Sequence, residues 1–176
     1  MNPEIPAIGI LESLSEDERN LLSSYGEFVP VRDDQALIEE HQPQDSLYLL
    51  ISGRMQIFTE TGGRKVKLGE VEPGQCVGEV NMFDPKDASA SVEGAEFCQV
   101  WRIDRGQLEA FMNDNPVVAA KFLIGICHQL SSRVRHANET LTNARDAVPQ
   151  LVERLKEARD VIVKAQDELP RMISLL

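Results

Sequence analysis

The C-terminal part of the chain carries the most regular hydrophobic pattern. From residue 130 to the end, apolar residues recur at alternating steps of four and three without a miss. A mean repeat of 3.5 residues is typical of helices that form coiled coils. The pattern predicts a helical tail whose apolar face forms a homodimer or another homo-oligomer, or binds a partner protein. The candidate interface residues are Leu130, Val134, Ala137, Leu141, Ala144, Val148, Leu151 and Leu155.

Two prolines leave the path of this tail open. Pro149 and Pro170 each remove a backbone donor, which disfavours an uninterrupted helix by about 3 kcal/mol. We expect a kink at Pro149, and the competing hypothesis is a hairpin in which residues 150–169 fold back on residues 130–147. In a third interpretation the apolar stripe packs on the protein's own β domain, but the stripe is too long for one small barrel to cover.

The first 128 residues show short segments of strand composition separated by glycine-containing turns. Gly62-Gly63 fits a two-residue hairpin, because glycine tolerates the positive φ of such turns. Eight such segments predict an antiparallel sandwich or barrel within an α+β domain over residues 1–128, followed by the tail at 129–176. The predicted strands are Glu27–Val31, Ala36–Glu39, Ser46–Ile51, Arg54–Thr59, Lys65–Val71, Cys76–Glu79, Ser89–Glu93 and Cys98–Ile103.

Three helix starts are marked by their local sequence. Ser15 with Glu18 three residues later forms a capping box pattern. Asp104-Arg105-Gly106-Gln107 starts a helix through Phe111, and Pro116 stands at the first position of the next helix.

Charge and cysteine content narrow the classes of partner. The 176 residues have a net charge of -11; residues 1–128 carry about -12 and residues 129–176 about +1. Such a surface repels phosphate backbones and anionic lipid, so we expect neither nucleic acid nor a membrane as partner. The first ten residues lack the basic start of a signal peptide, and we expect a reduced, cytoplasmic protein. Cys76, Cys98 and Cys127 are predicted to be buried, and neither they nor the three histidines show metal-ligand spacing.

Two stretches together resemble a known family. They are DSLYLLISGRMQI at residues 45–57 and EPGQCVGEV at residues 72–80. They are similar to the cyclic nucleotide-binding domain, which occurs in regulatory subunits of cAMP-dependent kinase, catabolite activator protein and cyclic-nucleotide-gated channels. The resemblance covers residues 8–135. It implies an eight-stranded β-roll of the jelly-roll type, flanked by helices, with the long following helix acting as a lid and often as a dimer seam.

The resemblance also implies a ligand site. In the family, backbone N–H groups after a Gly-Glu pair surround a cyclic phosphate, and the acidic residue accepts a hydrogen bond from the ribose 2′-hydroxyl. A helix N-terminus suits an anion, and a glycine lets the backbone approach the ligand closely. We expect Ser89 and Ser91 to point to the same side of one strand. The family positions are Gly78, Glu79, Val80, Ala88, Ser89 and Ala90.

One departure from the family changes the expected function. The family carries an arginine that pairs bidentately with the phosphate, and Ala88 stands in its place, with Asp87 where a proline precedes it. Losing such a pair weakens binding by roughly two orders of magnitude. Lys86 is two residues away, but an ammonium lacks the fork of a guanidinium. We therefore expect a degenerate pocket. The sequence requires no cofactor, and cyclic nucleotide is the ligand that the resemblance implies.

Family turn glycines are replaced as well. Asp34, His41 and Gln44 stand where glycine is common in the family. Asp and His tolerate positive φ, so the fold is expected to survive the replacement.

These features favour a non-enzymatic, bacterial-type regulatory or scaffold protein. We see no catalytic motif, and the tail is heptad sequence rather than a helix-turn-helix. Two alternatives stay open: a true sensor of cAMP, cGMP or another small ligand that transmits binding to the C-terminal helix, and a structural component of a larger assembly.

Overall fold

The computed structural model describes the backbone of residues 4–173 and the side chains of residues 4–160 and 162. The helices are a short 3₁₀ turn at Gly9–Leu11, α1 (Glu16–Ser23), α2 (Glu79–Phe83), α3 (Arg105–Asp114) and α4 (Pro116–Ile173). The strands are β1 (Glu27–Val31), β2 (Ala36–Ile38), β3 (Ser46–Ser52), β4 (Met55–Thr61), β5 (Arg64–Val71), β6 (Cys76–Val77), β7 (Ser91–Gly94) and β8 (Cys98–Asp104).

The eight strands form two four-stranded antiparallel sheets. Their orders are β1-β8-β3-β6 and β2-β7-β4-β5. This arrangement is the predicted eight-stranded β-roll, and with the helices it confirms the α+β fold class.

The two central strands β3 and β8 are buried on both faces. Leu49 and Trp101 are packed among residues of α1, α3 and α4, in a helix-side cluster. Leu50 and Val100 belong to a second group, the interior cluster, contributed by strands and by Ala88. Alternate residues of a strand point to opposite faces, which explains why both strands carry apolar residues at consecutive positions, Leu49-Leu50 in β3 and Val100-Trp101 in β8.

Local sequence signals set the helix starts. The Ser15 hydroxyl accepts from the Glu18 N–H at 3.3 Å while the Glu18 carboxylate accepts from the Ser15 N–H at 2.8 Å, so the predicted capping box is confirmed. Asp104 and Gln107 form the same reciprocal pair at the start of α3. Pro116 is the first residue of α4, as predicted.

The turns match the sequence signals. Gly62 and Gly63 join β4 to β5 with φ of +60° and +74°. Asp34 and His41 also adopt the left-handed conformation, with φ of +57° and +66°, at two of the positions where the family uses glycine. Gln44 does not, so that replacement leaves the backbone unstrained.

The tail is helical through both prolines. Helix α4 continues from Pro116 to Ile173 without a break at Pro149, so the hairpin hypothesis is wrong. Pro149 lies in an exposed stretch, where water can bond the carbonyl that proline leaves without a helical partner. The chain divides into two compact units that meet in the sequence at Leu130 and Ser131. None of the described helices is long and apolar enough to cross a membrane.

Three sequence predictions need correction. Strand β6 ends at Val77, because Gly78 turns the chain into α2. Ser89 precedes β7 and lies in a bend, so it does not share a strand face with Ser91. Cys127 is exposed, whereas Cys76 and Cys98 are buried as predicted, and burial raises the pKa of the Cys98 thiol.

Candidate functional site

Gly78 begins the segment that the family uses for its ligand. It has φ of +83° and immediately precedes α2. A Cβ at this position would lie 2.3 Å from the carbonyl oxygen of Ser46. The close approach that requires glycine is therefore to the protein's own strand β3. Gly78 therefore has a structural role, and its expected contact with a ligand stays a prediction.

The next two residues of the site point to different environments. Glu79, the first residue of α2, is 2% exposed. Val80 is about half exposed, so its side chain does not belong to the interior of the roll. Of this pair, Glu79 is the one with a buried polar group.

Asn81 ties α2 to the loop that follows it. Its side-chain amide is buried and donates to the carbonyl oxygens of Lys86 and Asp87, at 2.5 and 3.1 Å. Its backbone carbonyl accepts from the Arg105 guanidinium at 2.8 Å. Asn81 thus ties α2 to the loop that follows it and, through its backbone carbonyl, to the start of α3. Sequence reasoning missed Asn81, although a lone amide inside the apolar run Val80–Phe83 was the available signal.

Ala88 lies inside the roll. Its side chain is 3% exposed and belongs to the interior cluster with residues such as Val31, Leu50 and Val92. Its N–H donates to the Gln42 carbonyl at 2.9 Å, and its carbonyl accepts from the His41 N–H at 2.8 Å. The position at which the family carries a cation is therefore surrounded by apolar side chains.

Ser89, Ala90 and Ser91, which follow Ala88, lie in different environments. Ser89 is exposed and Ala90 is half-buried. The Ser91 hydroxyl accepts from the Glu40 N–H at 3.0 Å. Hydrogen bonds from Thr59 and the Glu60 N–H hold the pKa of Glu40 below its usual range. Ser91 thus takes part in a structural network between the sheet strands and the turn before β3.

Lys86 does not replace the missing arginine in this structure. Its ammonium pairs with Asp84 at 2.6 Å, and both side chains are largely exposed. Lys86 and Arg105 line a surface cleft of about 470 Å³, together with Asp45 and Asp87. Cations and carboxylates are mixed there, so the cleft presents no uniform field to an anion.

Gln129 connects the strand before the site to helix α4. Its amide oxygen accepts from the Cys76 N–H and its amide nitrogen donates to the Cys76 carbonyl, both at 2.8 Å. β6 is an edge strand, and Gln129 takes the place that a further strand would have. Sequence reasoning missed this residue. Its signal was a polar side chain on the apolar face that Phe122 and Ile126 define.

The candidate interface residues lie in two environments. Leu130 is half-buried and packs against the helix-side cluster of its own unit. In the second unit Leu141 is 70% exposed and Leu155 69% exposed, and the other predicted positions are exposed as well. Those positions are Val134, Ala137, Ala144, Val148 and Leu151.

The sequence matches the family described as the cyclic nucleotide-binding domain over residues 28–115, half of the chain. The chain belongs to this family. In the part that the structure describes, the roll is followed by α3 and the long helix α4, and not by a helix-turn-helix domain.

Solved structures agree with this assignment. A cyclic nucleotide-binding domain from Methylobacillus flagellatus has a TM-score of 0.68 at 24% identity and covers 72% of this chain and 71% of that one. The catabolite activator protein of Thermus thermophilus has a TM-score of 0.66 at 25% identity, with 76% of this chain and 62% of that chain covered.

A curated relative shows where the likeness ends. Neuropathy target esterase sws of Drosophila persimilis is 28% identical over 96 residues. These residues are 54% of this chain and 7% of the esterase, so the chain spans less than a tenth of that relative's length.

Proposed function

We propose that this protein is a non-enzymatic regulatory or scaffold member of the cyclic nucleotide-binding domain family, of bacterial type and cytoplasmic. In this proposal its nucleotide pocket is degenerate and its C-terminal helix associates with another protein chain, in the simplest case a second copy. The observation that carries the proposal is Ala88, which aligns with the family's phosphate-binding arginine and packs among apolar side chains.

Two further observations support a degenerate pocket. The close backbone approach at Gly78 is to Ser46, so the fold itself requires the glycine whether or not a ligand binds. Lys86, the nearest cation in sequence, pairs with Asp84 at the surface. Gly78 therefore has a structural role of its own, and neither Ala88 nor Lys86 places a free cation where the family neutralises a phosphate.

Titration calorimetry with cAMP and cGMP tests the pocket. Without a bidentate charge-assisted pair, we expect binding weaker by roughly two orders of magnitude than a site that has it, and no measurable heat at micromolar ligand. The same titration of a family member that carries the arginine is the positive control. Binding to this chain at micromolar or lower Kd contradicts the degenerate pocket.

Association through the tail has its own test. Leu141→Asp with Leu155→Asp places two carboxylates on the exposed apolar face, and we expect this variant to be monomeric by light scattering where the wild type self-associates. The matched control is Glu139→Gln with Glu153→Gln, on the opposite face, which should associate like the wild type. Equal masses for wild type and aspartate variant would exclude self-association through this face.

One observation favours the sensor as a second candidate function. Gln129 links α4 to Cys76, two residues before Gly78, so movement at the site would reach the helix through two hydrogen bonds. A thermal-shift screen over cyclic mononucleotides and dinucleotides tests it, because a specific ligand raises the unfolding midpoint by mass action.

In the third candidate, a structural component of a larger assembly, the roll is passive and only the helix matters.

A further inference from the structure

The charged residues of the tail are sorted by helix face. We define the apolar seam as two heptad positions along the helix. Val134 and Leu141 occupy one of them, Ala137 and Ala144 occupy the other, and both positions repeat every seven residues. Between residues 131 and 162, the positions that flank the seam carry four basic residues and no carboxylate. These flanking arginines are Arg133, Arg145, Arg154 and Arg159.

The opposite face has the opposite charge. The heptad position farthest from the seam is acidic in four successive repeats, at Glu139, Asp146, Glu153 and Asp160. Arg145, Arg154 and Arg159 are exposed beside the seam, and Arg159 forms an exposed ion pair with its neighbour Asp160 at 2.9 Å. A second helix that packs on the seam therefore lies beside these flanking arginines, which we call the basic border.

This border disfavours a second copy of the same helix. Flanking residues of a coiled coil lie beside those of its partner and decide which chains pair. In a parallel pair of copies, Arg154 of one chain would lie beside Arg159 of the other. The flanking residues occupy two heptad positions, one on each side of the seam. In an antiparallel pair of copies, each of these positions lies beside the same position of the other chain, so within residues 131–162 arginine again faces arginine or an uncharged residue. Like charges on neighbouring helical positions are destabilising.

The repeat length disfavours a lipid surface. A strict 3.5-residue stripe drifts about 20° per heptad around a straight helix. From residue 130 to residue 158 the stripe covers four heptads, which amounts to a drift of about 80°. Such a stripe cannot face a flat bilayer along its whole length, whereas a second helix that supercoils around it can follow it.

We propose that the preferred partner of α4 is a helix of a different protein, with the same apolar repeat and with glutamate or aspartate at its flanking positions. The inference rests on the proposed association through the tail and specifies its partner. Another segment of this chain cannot fill the role within the described residues, because α1, α2 and α3 have eight, five and ten residues, and a coiled coil needs three or more heptads.

A charge-reversed copy of the chain supplies a defined probe with acidic flanks. In the variant Arg145→Glu, Arg154→Glu and Arg159→Glu, the seam is unchanged. We expect labelled wild-type chain to bind this variant with a Kd at least about tenfold lower than it binds unlabelled wild type, measured by fluorescence anisotropy. Raising ionic strength from about 0.05 M to about 0.5 M should weaken the mixed pair and strengthen the wild-type pair.

The control variant Arg135→Glu with Lys156→Glu changes charges that do not flank the seam, and it should bind wild type as wild type does. Equal Kd values for the mixed and wild-type pairs, with both associating, would overturn the inference while the proposed association stands. No association in any mixture would overturn the association itself. If the wild type floats with phosphatidylserine vesicles and the charge-reversed variant does not, the partner of α4 is a membrane and the inference of a helical partner is wrong.

Discussion

Replacement of Gln129 by methionine is expected to lower the free energy of unfolding of the β-roll unit by about 2–5 kcal/mol, because two backbone groups lose buried partners at once. Methionine keeps the approximate length and volume of glutamine, but it neither accepts well from the Cys76 N–H nor donates to the Cys76 carbonyl. Urea unfolding followed by the fluorescence of Trp101 measures the change. Trp101 is the only tryptophan of the chain and is fully buried in β8.

Two companion variants separate the hydrogen bonds from general effects on α4. His128→Ala changes the exposed neighbour, and we expect its effect to stay within about 0.5 kcal/mol. Gln129→Glu can still accept from the Cys76 N–H, but it turns a carboxylate oxygen toward the Cys76 carbonyl, so it should be no more stable than the methionine variant. A methionine variant as stable as His128→Ala would show that the pair at Cys76 contributes little.

Gly78→Ala is the second substitution with a large expected effect. It places a side chain at a φ of +83°, which costs about 1–2 kcal/mol for an L-residue. It also sets a Cβ 2.3 Å from a backbone oxygen of β3, and relieving such an overlap in a packed region costs about 1–3 kcal/mol more. We expect a total loss of about 2–5 kcal/mol by the same urea experiment.

Gly63→Ala is the matched control for Gly78→Ala. Gly63 has a similar φ of +74°, but a Cβ there meets nothing within 4 Å. It should therefore lose only the conformational part, about 1–2 kcal/mol. If the two alanine variants lose equal stability, the overlap with Ser46 is relieved at no cost and the structural argument for Gly78 is wrong.

The elements predicted from sequence are those whose signals are local. Strand composition located all eight strands, and the capping pair at Ser15 and Glu18 located α1, because each signal involves residues a few positions apart. Asp34 and His41 were predicted to stand at glycine-type turns by the resemblance, and both have positive φ. The tail pattern predicted a helix, and the structure shows one. The hairpin at Pro149 was wrong, because the carbonyl that loses its helical hydrogen bond there is exposed to water, which lowers the cost of proline within the helix.

The features that sequence could not predict depend on contacts between distant segments. Gln129 bonds a backbone 53 residues earlier in the chain, and no local pattern encodes that pairing. The contact between Gly78 and Ser46 was missed, because it exists only after β3 and β6 have paired. Cys127 sits beside apolar residues in sequence, but one helical step of about 100° turns it away from the face of Phe122 and Ile126.

The hairpin turn between β4 and β5 offers a place to modify the protein without altering its roll. Gly62 and Gly63 stand at an exposed turn where added atoms meet open space. Exposed turns of this kind accept insertions more readily than other parts of a domain. An epitope or a small fluorescent module spliced between these two glycines would report on the protein in cells while leaving the apolar face of α4 unmodified.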